Sequence, residues 1–337
     1  MKTETGTISN IRRLDVNRDL LSVADLIEMC FSTHLDEDGR RYINQIRKSA
    51  RNRRYLYWIR AASERVSVPL FGYVWEEDGK VVGNLSLVPY SREGKWVYLI
   101  ANVVVHPEYR RHGIARQLTL RALEHVRQRK AAAVWLHVRE GNMVAINLYR
   151  SLGFYERTRR TQWMAKRLNA PPASLPLHIT VAGRRRQCWE WHRTWLCKAY
   201  PTSVAWYLSF DSKRFKPSIQ EGLKRIIIGG TMRHWVAYDS GELIGVVTWE
   251  TSRRSADPLW LATMPEREDQ VIRTLLPHAC WHSGNRRKFI INYPAGRGKE
   301  AFKAVNFSVH NTLVWMEMSL GEKNQGDGTS VSIDKRT

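Results

Sequence analysis

The segment His106-Pro107-Glu108-Tyr109-Arg110-Arg111-His112-Gly113-Ile114-Ala115 joins the end of one apolar run to the start of a helical pattern. A turn of this kind points free backbone N–H groups and the positive end of a helix dipole at one spot, which suits a pyrophosphate. Gly113 and Ala115 let a ligand approach the backbone, and Arg110, Arg111 and Arg116 add charge. Alone, Arg-x-x-Gly-x-Ala fits equally well a glycine-containing helix start flanked by solvated arginines. Three further residues carry usable groups. His137 lies in an apolar strand-like run, Asn142 precedes a helical stretch it can cap, and Tyr149 lies within that stretch. Each also has a plain structural reading: a strand histidine, a cap, and a core tyrosine on an amphipathic helix.

These groups need elements to hold them. Ile8 to Leu14 reads as a first strand, followed by helices over Leu20 to Cys30 and about Asp38 to Ala50. Phe71 to Trp75 and Val81 to Val88 flank Asp78-Gly79, a hairpin signal. Trp96 to Val105 reads as a strand, Ile114 to Arg129 as a helix, Val134 to Val138 as a buried strand and Met143 to Leu152 as a helix. Phe154 to Met164 reads as a closing strand pair. Pro171, Pro172 and Pro176 break both helix and sheet, so the expected organisation is a first domain over 1–168, a linker over 169–177, a second domain over 178–320 and an unstructured polar tail over 321–337.

The second half echoes the first. Ser240-Gly241-Glu242-Leu243-Ile244-Gly245 follows the pattern of Asp78-Gly79-Lys80-Val81-Val82-Gly83. Phe289 to Asn292, a helical stretch ending at Val305, and Asn306-Phe307 follow the order of Val134 to Val138, the helix to Leu152, and Gly153-Phe154. The echo has lost its chemical groups. The turn after Leu259 to Met264 reads Pro265-Glu266-Arg267-Glu268-Asp269, without glycine and with added acid that repels a pyrophosphate, and Phe302 falls where Tyr149 stands. Trp189, Trp191 and Trp195 read first as plain core residues, and otherwise as the wall of an acceptor site or an interface.

Composition sets wider bounds. A chain of 337 residues is long for one core and comfortable for two. The 43% hydrophobic and 26% charged fractions are those of an ordinary folded protein, and the four cysteines lack CxxC spacing, so no metal is implied. No apolar run approaches the roughly 20 residues of a membrane helix, and no basic stretch followed by a hydrophobic region opens the chain, so the expectation is a cytoplasmic protein without a membrane partner. The net charge of +22 favours anionic partners, including weak electrostatic association with nucleic acid, but Lys and Arg are dispersed along both halves.

Four features in order and spacing resemble the core of the GNAT N-acetyltransferase superfamily over residues 96 to 168. They are the strand ending Val103-Val104-Val105, the turn Arg110-x-x-Gly113-x-Ala115, a strand followed by Asn142, and Leu148-Tyr149-x-x-x-Gly153-Phe154. The residues from Ile8 onward fit the family's opening strand, two helices and hairpin, so the resemblance covers about half the chain. It implies an α+β fold, a mixed and mostly antiparallel sheet flanked by helices; with the echo, that fold is expected twice in tandem.

The resemblance also implies roles. Acetyl-CoA is the co-substrate, held at its pyrophosphate by Arg110, Arg111, His112, Gly113, Ile114, Ala115 and Arg116. The Val103 to Val105 strand splays from Val134 to Val138, pairs with the pantetheine arm and offers a backbone N–H to the thioester oxygen. Asn142 bonds the CoA arm, and Tyr149 protonates the departing thiolate. The similar ribosomal-protein alanine N-acetyltransferases carry Glu where this chain has His137, which makes the histidine a candidate base, with Glu76, Glu77 and Glu140 behind it. The expected reaction is direct attack by a primary amine on acetyl-CoA. Two other readings are a non-catalytic acyl-CoA sensor and a basic nucleic-acid- or ribosome-associated protein, though no nucleic-acid module is recognisable. The acceptor stays open among peptide N-termini, lysine, polyamines, aminoglycosides and small amines.

Overall fold

The computed structural model describes residues 10–52, 54, 56–57, 67–92, 94–166, 171–208, 210–218, 230–283 and 288–320; the expected polar tail lies outside them. The described strands form one twelve-stranded sheet. In the first half β1 (Ile11–Arg13), β2 (Gly72–Glu77), β3 (Lys80–Arg92) and β4 (Lys95–Val105) run antiparallel side by side, and β4 meets β5 (Ala133–Arg139) in parallel. The second half repeats the plan with β7 (Ile179–Gly183), β8 (Met232–Asp239), β9 (Glu242–Glu250), β10 (Ala256–Thr263) and a parallel β11 (Lys288–Pro294).

The centre of the sheet departs from the expected organisation. Residues expected to form a closing strand pair form one continuous strand, β6 (Tyr155–Ala165), because nothing between them supplies a turn. This strand pairs with β11 of the other half, while β12 (Ser308–Ser319) from the end of the second half lies between β5 and β6. Each half is thus closed by the other's strand, and the fold is α+β, mixed and duplicated in tandem.

The duplication extends to single hydrogen bonds. His106 N–H donates to Val82 O at 2.8 Å, and Met264 N–H to Ile244 O at 2.9 Å. Phe154 N–H donates to Tyr149 O at 3.0 Å, and Phe307 N–H to Phe302 O at 3.0 Å. Asp78-Gly79 and Ser240-Gly241 both take positive φ at two successive residues, the twist that matches a tight hairpin.

Helices cover both faces. Tyr98 and Ile100 of β4 point to the face packed by α3 (Ile114–Gln128) and α4 (Met143–Ser151). Val97, Leu99 and Ala101 point to the opposite face, covered by α6 (Thr202–Leu208) of the second half. Val104 shares that second face and meets α1 (Leu20–Phe31) and α2 (Glu37–Ala50). The second half's own core gathers α5 (Trp189–Ala199), α7 (Glu268–His282) and α8 (Lys299–Ala304) against β8 to β11. Trp189 and Trp195 belong to that core and Trp191 is 60% exposed, so the three tryptophans do not stand at the first half's site; their helix packs on β10 instead. Among the described residues no helix is long and apolar enough to cross a membrane.

Candidate active site

The site begins as a fork between β4 and β5. Their parallel pairing runs from Val97↔Ala133 to Ile100↔Leu136 and then stops. The cause is a bulge: Ser86 faces Ala101 and Asn84 faces Val104, so Asn102 and Val103 together oppose one residue of β3, and Asn102 takes φ +50°. Side chains hold the bulge in place. Asn84 Nδ2 donates to Asn102 O at 2.9 Å, and Asn102 Nδ2 donates to Tyr42 Oη of α2 at 2.7 Å. Asn84 is fully buried and its Oδ1 has no partner among the described residues. Burial pushes the Tyr42 phenol up to about 12 against the opposing pull of the Asn102 bond, so it stays protonated.

Beyond the fork, β4 ends in the basic turn. Arg111 at φ +70° and Gly113 at φ +78° curl the chain into α3, whose first turn has no side-chain cap. Among the described residues nothing accepts from the N–H groups of Arg111, His112, Gly113, Ile114, Ala115 or Arg116. A Cβ at Gly113 would meet nothing within 4 Å, so the cradle is open. Successive N–H groups in such a curl, at a helix N-terminus, form an anion-binding concavity. Arg110, Arg111, His112 and Arg116 surround it and are exposed, while Ile114 is buried beneath and Ala115 half-buried. Arg110 leans back on Val105 O at 3.2 Å, and Arg116 donates to Ser151 Oγ at 3.0 Å.

The other singled-out residues stand around the fork. Val103 and Val105 pack toward the α3 cluster and Val104 toward α1 and α2. Asn142 caps α4 by accepting from Ala145 N–H at 3.1 Å. Tyr149, on α4, is buried in the cluster that holds Leu136 and Val138, and its hydroxyl has no hydrogen bond among the described residues. Burial pushes that phenol well above its ordinary value, so it carries its proton throughout the neutral range.

His137 is the first β5 residue past the fork, on the opposite face from Leu136 and Val138. Its ring lies 4.3 Å from Tyr207 of α6 and 4.1 Å from Trp315 of β12. Burial among these rings lowers its pKa to about 3, and Nε2 has no partner among the described residues. The three glutamates considered alongside it are held elsewhere. Glu76 pairs with Arg12 at 2.6 Å and Arg18 at 2.7 Å, Glu77 accepts from Asn10 at 2.7 Å, and Glu140 pairs with Arg159 at 2.7 Å.

Three contributors went unread in the sequence. Asn102 was legible in principle, since a residue that tolerates positive φ interrupts the apolar run Leu99-Ile100-Ala101-Asn102-Val103. Tyr207 and Trp206 were not, because nothing local says that α6 crosses onto the first half's sheet.

The corresponding places in the second half are filled by its own residues. The carboxylate of Glu268, first residue of α7, is bound by Arg297 and accepts from Tyr293 Oη at 2.8 Å. Counting back from Pro265 as from Pro107 sets Leu261 on Val103, and Leu261 N–H points at Tyr200 Oη at 3.4 Å. Phe302 is fully buried and stacks on Trp163 at 4.7 Å. In this register a carboxylate stands at the place of Arg110, and a phenol faces the backbone at the place of Val103.

Residues 25–154 match the acetyltransferase (GNAT) family. The [ribosomal protein bS18]-alanine N-acetyltransferase of Escherichia coli strain K12 is 42% identical over 62 residues, which are 18% of this chain and 42% of that one. The chain therefore spans about two fifths of the length of that relative. A GCN5-related N-acetyltransferase from Sphaerobacter thermophilus superposes with a TM-score of 0.56 at 15% identity, covering 92% of this chain and 96% of the other. A tandem GNAT protein from the clavulanic acid biosynthesis pathway gives 0.51 at 16% identity, covering 92% and 98%. These two likenesses speak to the fold alone.

Proposed function

Because residues 25–154 belong to the GNAT acetyltransferase family, we propose that the protein moves an acetyl group from acetyl-CoA to a primary amine by direct attack. The observation that carries the reading is the conjunction of a bulge-opened fork with an uncapped, glycine-containing basic turn at its end. Arg110, Arg111, His112, Gly113, Ile114, Ala115 and Arg116 would hold the pyrophosphate through backbone N–H groups and flanking charge. Val103, Val104 and Val105 would offer backbone groups to the pantetheine arm, and a backbone N–H at the bulge would polarise the thioester carbonyl. The side-chain oxygen of Asn142 is engaged in its cap, which leaves its amide N–H groups to meet the arm.

Tyr149 is the general acid in this reading. It approaches the fork from the α3 and α4 face, stays protonated, and has a hydroxyl free to donate to a thiolate. His137 sits on the other face. An imidazole with a pKa near 3 is too weakly basic to take a proton from an ammonium group, so the amine proton passes to solvent and His137 serves as a neutral wall. The second half binds no acetyl-CoA, since Glu268 and Tyr200 fill its corresponding places.

Tyr149→Phe tests the assignment, since it removes one hydroxyl at nearly constant volume. Single-turnover acetylation should slow by about 10²- to 10⁴-fold while acetyl-CoA affinity holds. A variant as fast as the wild type refutes the tyrosine's role. A wild type that acetylates no amine, yet is stabilised by acetyl-CoA, would favour the sensor reading.

A further inference from the structure

We infer that the acceptor pocket is walled by the second half of the chain, and that it selects an amine carried on a flat, uncharged aromatic body over a polycationic one. The inference rests on the acetyltransferase reading, because it concerns the other side of the same fork.

The wall starts where the strands part. Ala101 and His137, the first residues past the last β4–β5 pair, both face α6. Trp206 lies 5.0 Å from Tyr90 and 5.8 Å from Trp135, and Tyr207 lies 4.3 Å from His137 and 5.3 Å from Trp315. These rings form one continuous surface with contributions from β3, β5, β12 and α6. Trp135 and Trp315 are its buried floor, at 1% and 0% exposure, while Tyr90, Trp206 and His137 are half-buried and Tyr207 is 38% exposed. The surface therefore opens to solvent on the face opposite Tyr149, with Tyr42 of α2 across the fork.

The floor bears unmatched polar atoms. Trp135 Nε1, His137 Nε2 and Trp315 Nε1 are buried with no partner among the described residues. His137 and Trp315 are direct cross-strand partners, and Trp135 is two residues along β5 from His137. A buried orphan costs about 1 to 3 kcal/mol, and the three lie together in the floor beneath the half-buried rings.

Charge decides against a polycation. Every ring in the wall is neutral near pH 7, and the positive group beside Tyr207 is Arg254. The carboxylates at the start of α2, where Asp38 reaches Ser255 beside Arg254, are already engaged. Asp36 accepts from Gly39 N–H at 2.7 Å and holds His310 at 2.9 Å, Asp38 accepts from Ser255 N–H at 3.0 Å, and Glu37 pairs with Arg41 at 2.5 Å. The chain as a whole carries +22. A second or third ammonium group on the acceptor would meet the positive charge of Arg254 and, among these carboxylates, groups already engaged. A flat ring would find faces to stack on.

The test uses the full chain with tyramine and spermidine as acceptors, following acetylated product by mass spectrometry. Tyramine should be preferred in kcat/KM, Tyr207→Ala should raise its KM about tenfold, and Tyr207→Phe should restore it. Heat stabilisation by acetyl-CoA should match the wild type in both variants. Preference for spermidine, or an unchanged tyramine KM in Tyr207→Ala, overturns the inference. A wild type that acetylates neither amine but is stabilised by acetyl-CoA overturns the inference and leaves the donor site standing. Loss of that stabilisation in the wild type brings down the underlying reading.

Discussion

Deleting β12 should abolish the proposed acetyl-CoA site, although the strand lies more than 150 residues beyond the last residue of that site in sequence. The strand joins β5 through the register Leu313↔Arg139 to Ser319↔Ala133 and separates β5 from β6. Val314, Trp315 and Met316 are fully buried and Met318 is 7% exposed. At about 1.5 to 3 kcal/mol for each buried apolar side chain, the four contribute roughly 6 to 12 kcal/mol before either ladder of hydrogen bonds is counted. A whole domain is stable by about 5 to 15 kcal/mol, so the first half should not hold without them. Its β5 would also become an unprotected edge bearing Trp135 and Leu136. The assay compares a chain ending at residue 306 with one ending at 320, by urea denaturation and by thermal unfolding with acetyl-CoA. Trp315→Ala gives the graded version and should cost about 3 to 5 kcal/mol. The reasoning fails if residues 1–168, or the chain ending at 306, unfold at the full chain's urea midpoint and respond equally to acetyl-CoA.

Two further outcomes follow from single residues. Gly113→Glu places a carboxylate at an open, positive-φ position, so the protein should fold with a loss of about 1 to 2 kcal/mol. It should also forfeit the stabilisation of roughly 2.7 kcal/mol that acetyl-CoA gives at 100 times its dissociation constant; an undiminished thermal shift counts against the phosphate turn. Stability should fall as pH drops through the interval from about 6.5 toward 3, because the unfolded His137 takes up a proton there and the folded, buried one does not. Its contribution is intact above pH 6.5 and reduced by about 2 kcal/mol at pH 5. Burial of His192 and His278 acts in the same direction. Urea midpoints at pH 8 and pH 5 should therefore differ less in His137→Gln than in the wild type, and an equal loss in both would remove His137 as a cause.

What the sequence determined on its own is what local chemistry can encode. The turn from His106 to Ala115, the capping Asn142, the Asp78-Gly79 hairpin and the order of elements around Tyr149 each depend on neighbours a few residues away, and each element was found within a few residues of its expected bounds. The echo in the second half was legible for the same reason, because a repeated hairpin and a repeated Gly/Asn-Phe junction are local patterns. The tertiary structure decided what depends on partners distant in the chain. No pattern within 155–165 says that β6 closes the other half, or that β12 returns to take its place, since strand pairing is chosen by edges that exist only after folding. Nor does any local signal place Tyr207 on His137, and burial beside that ring and Trp315 lowers the pKa of the imidazole. Short-range sterics and capping wrote the basic turn and its neighbours into the sequence, whereas long-range burial made the aromatic surface on the other face.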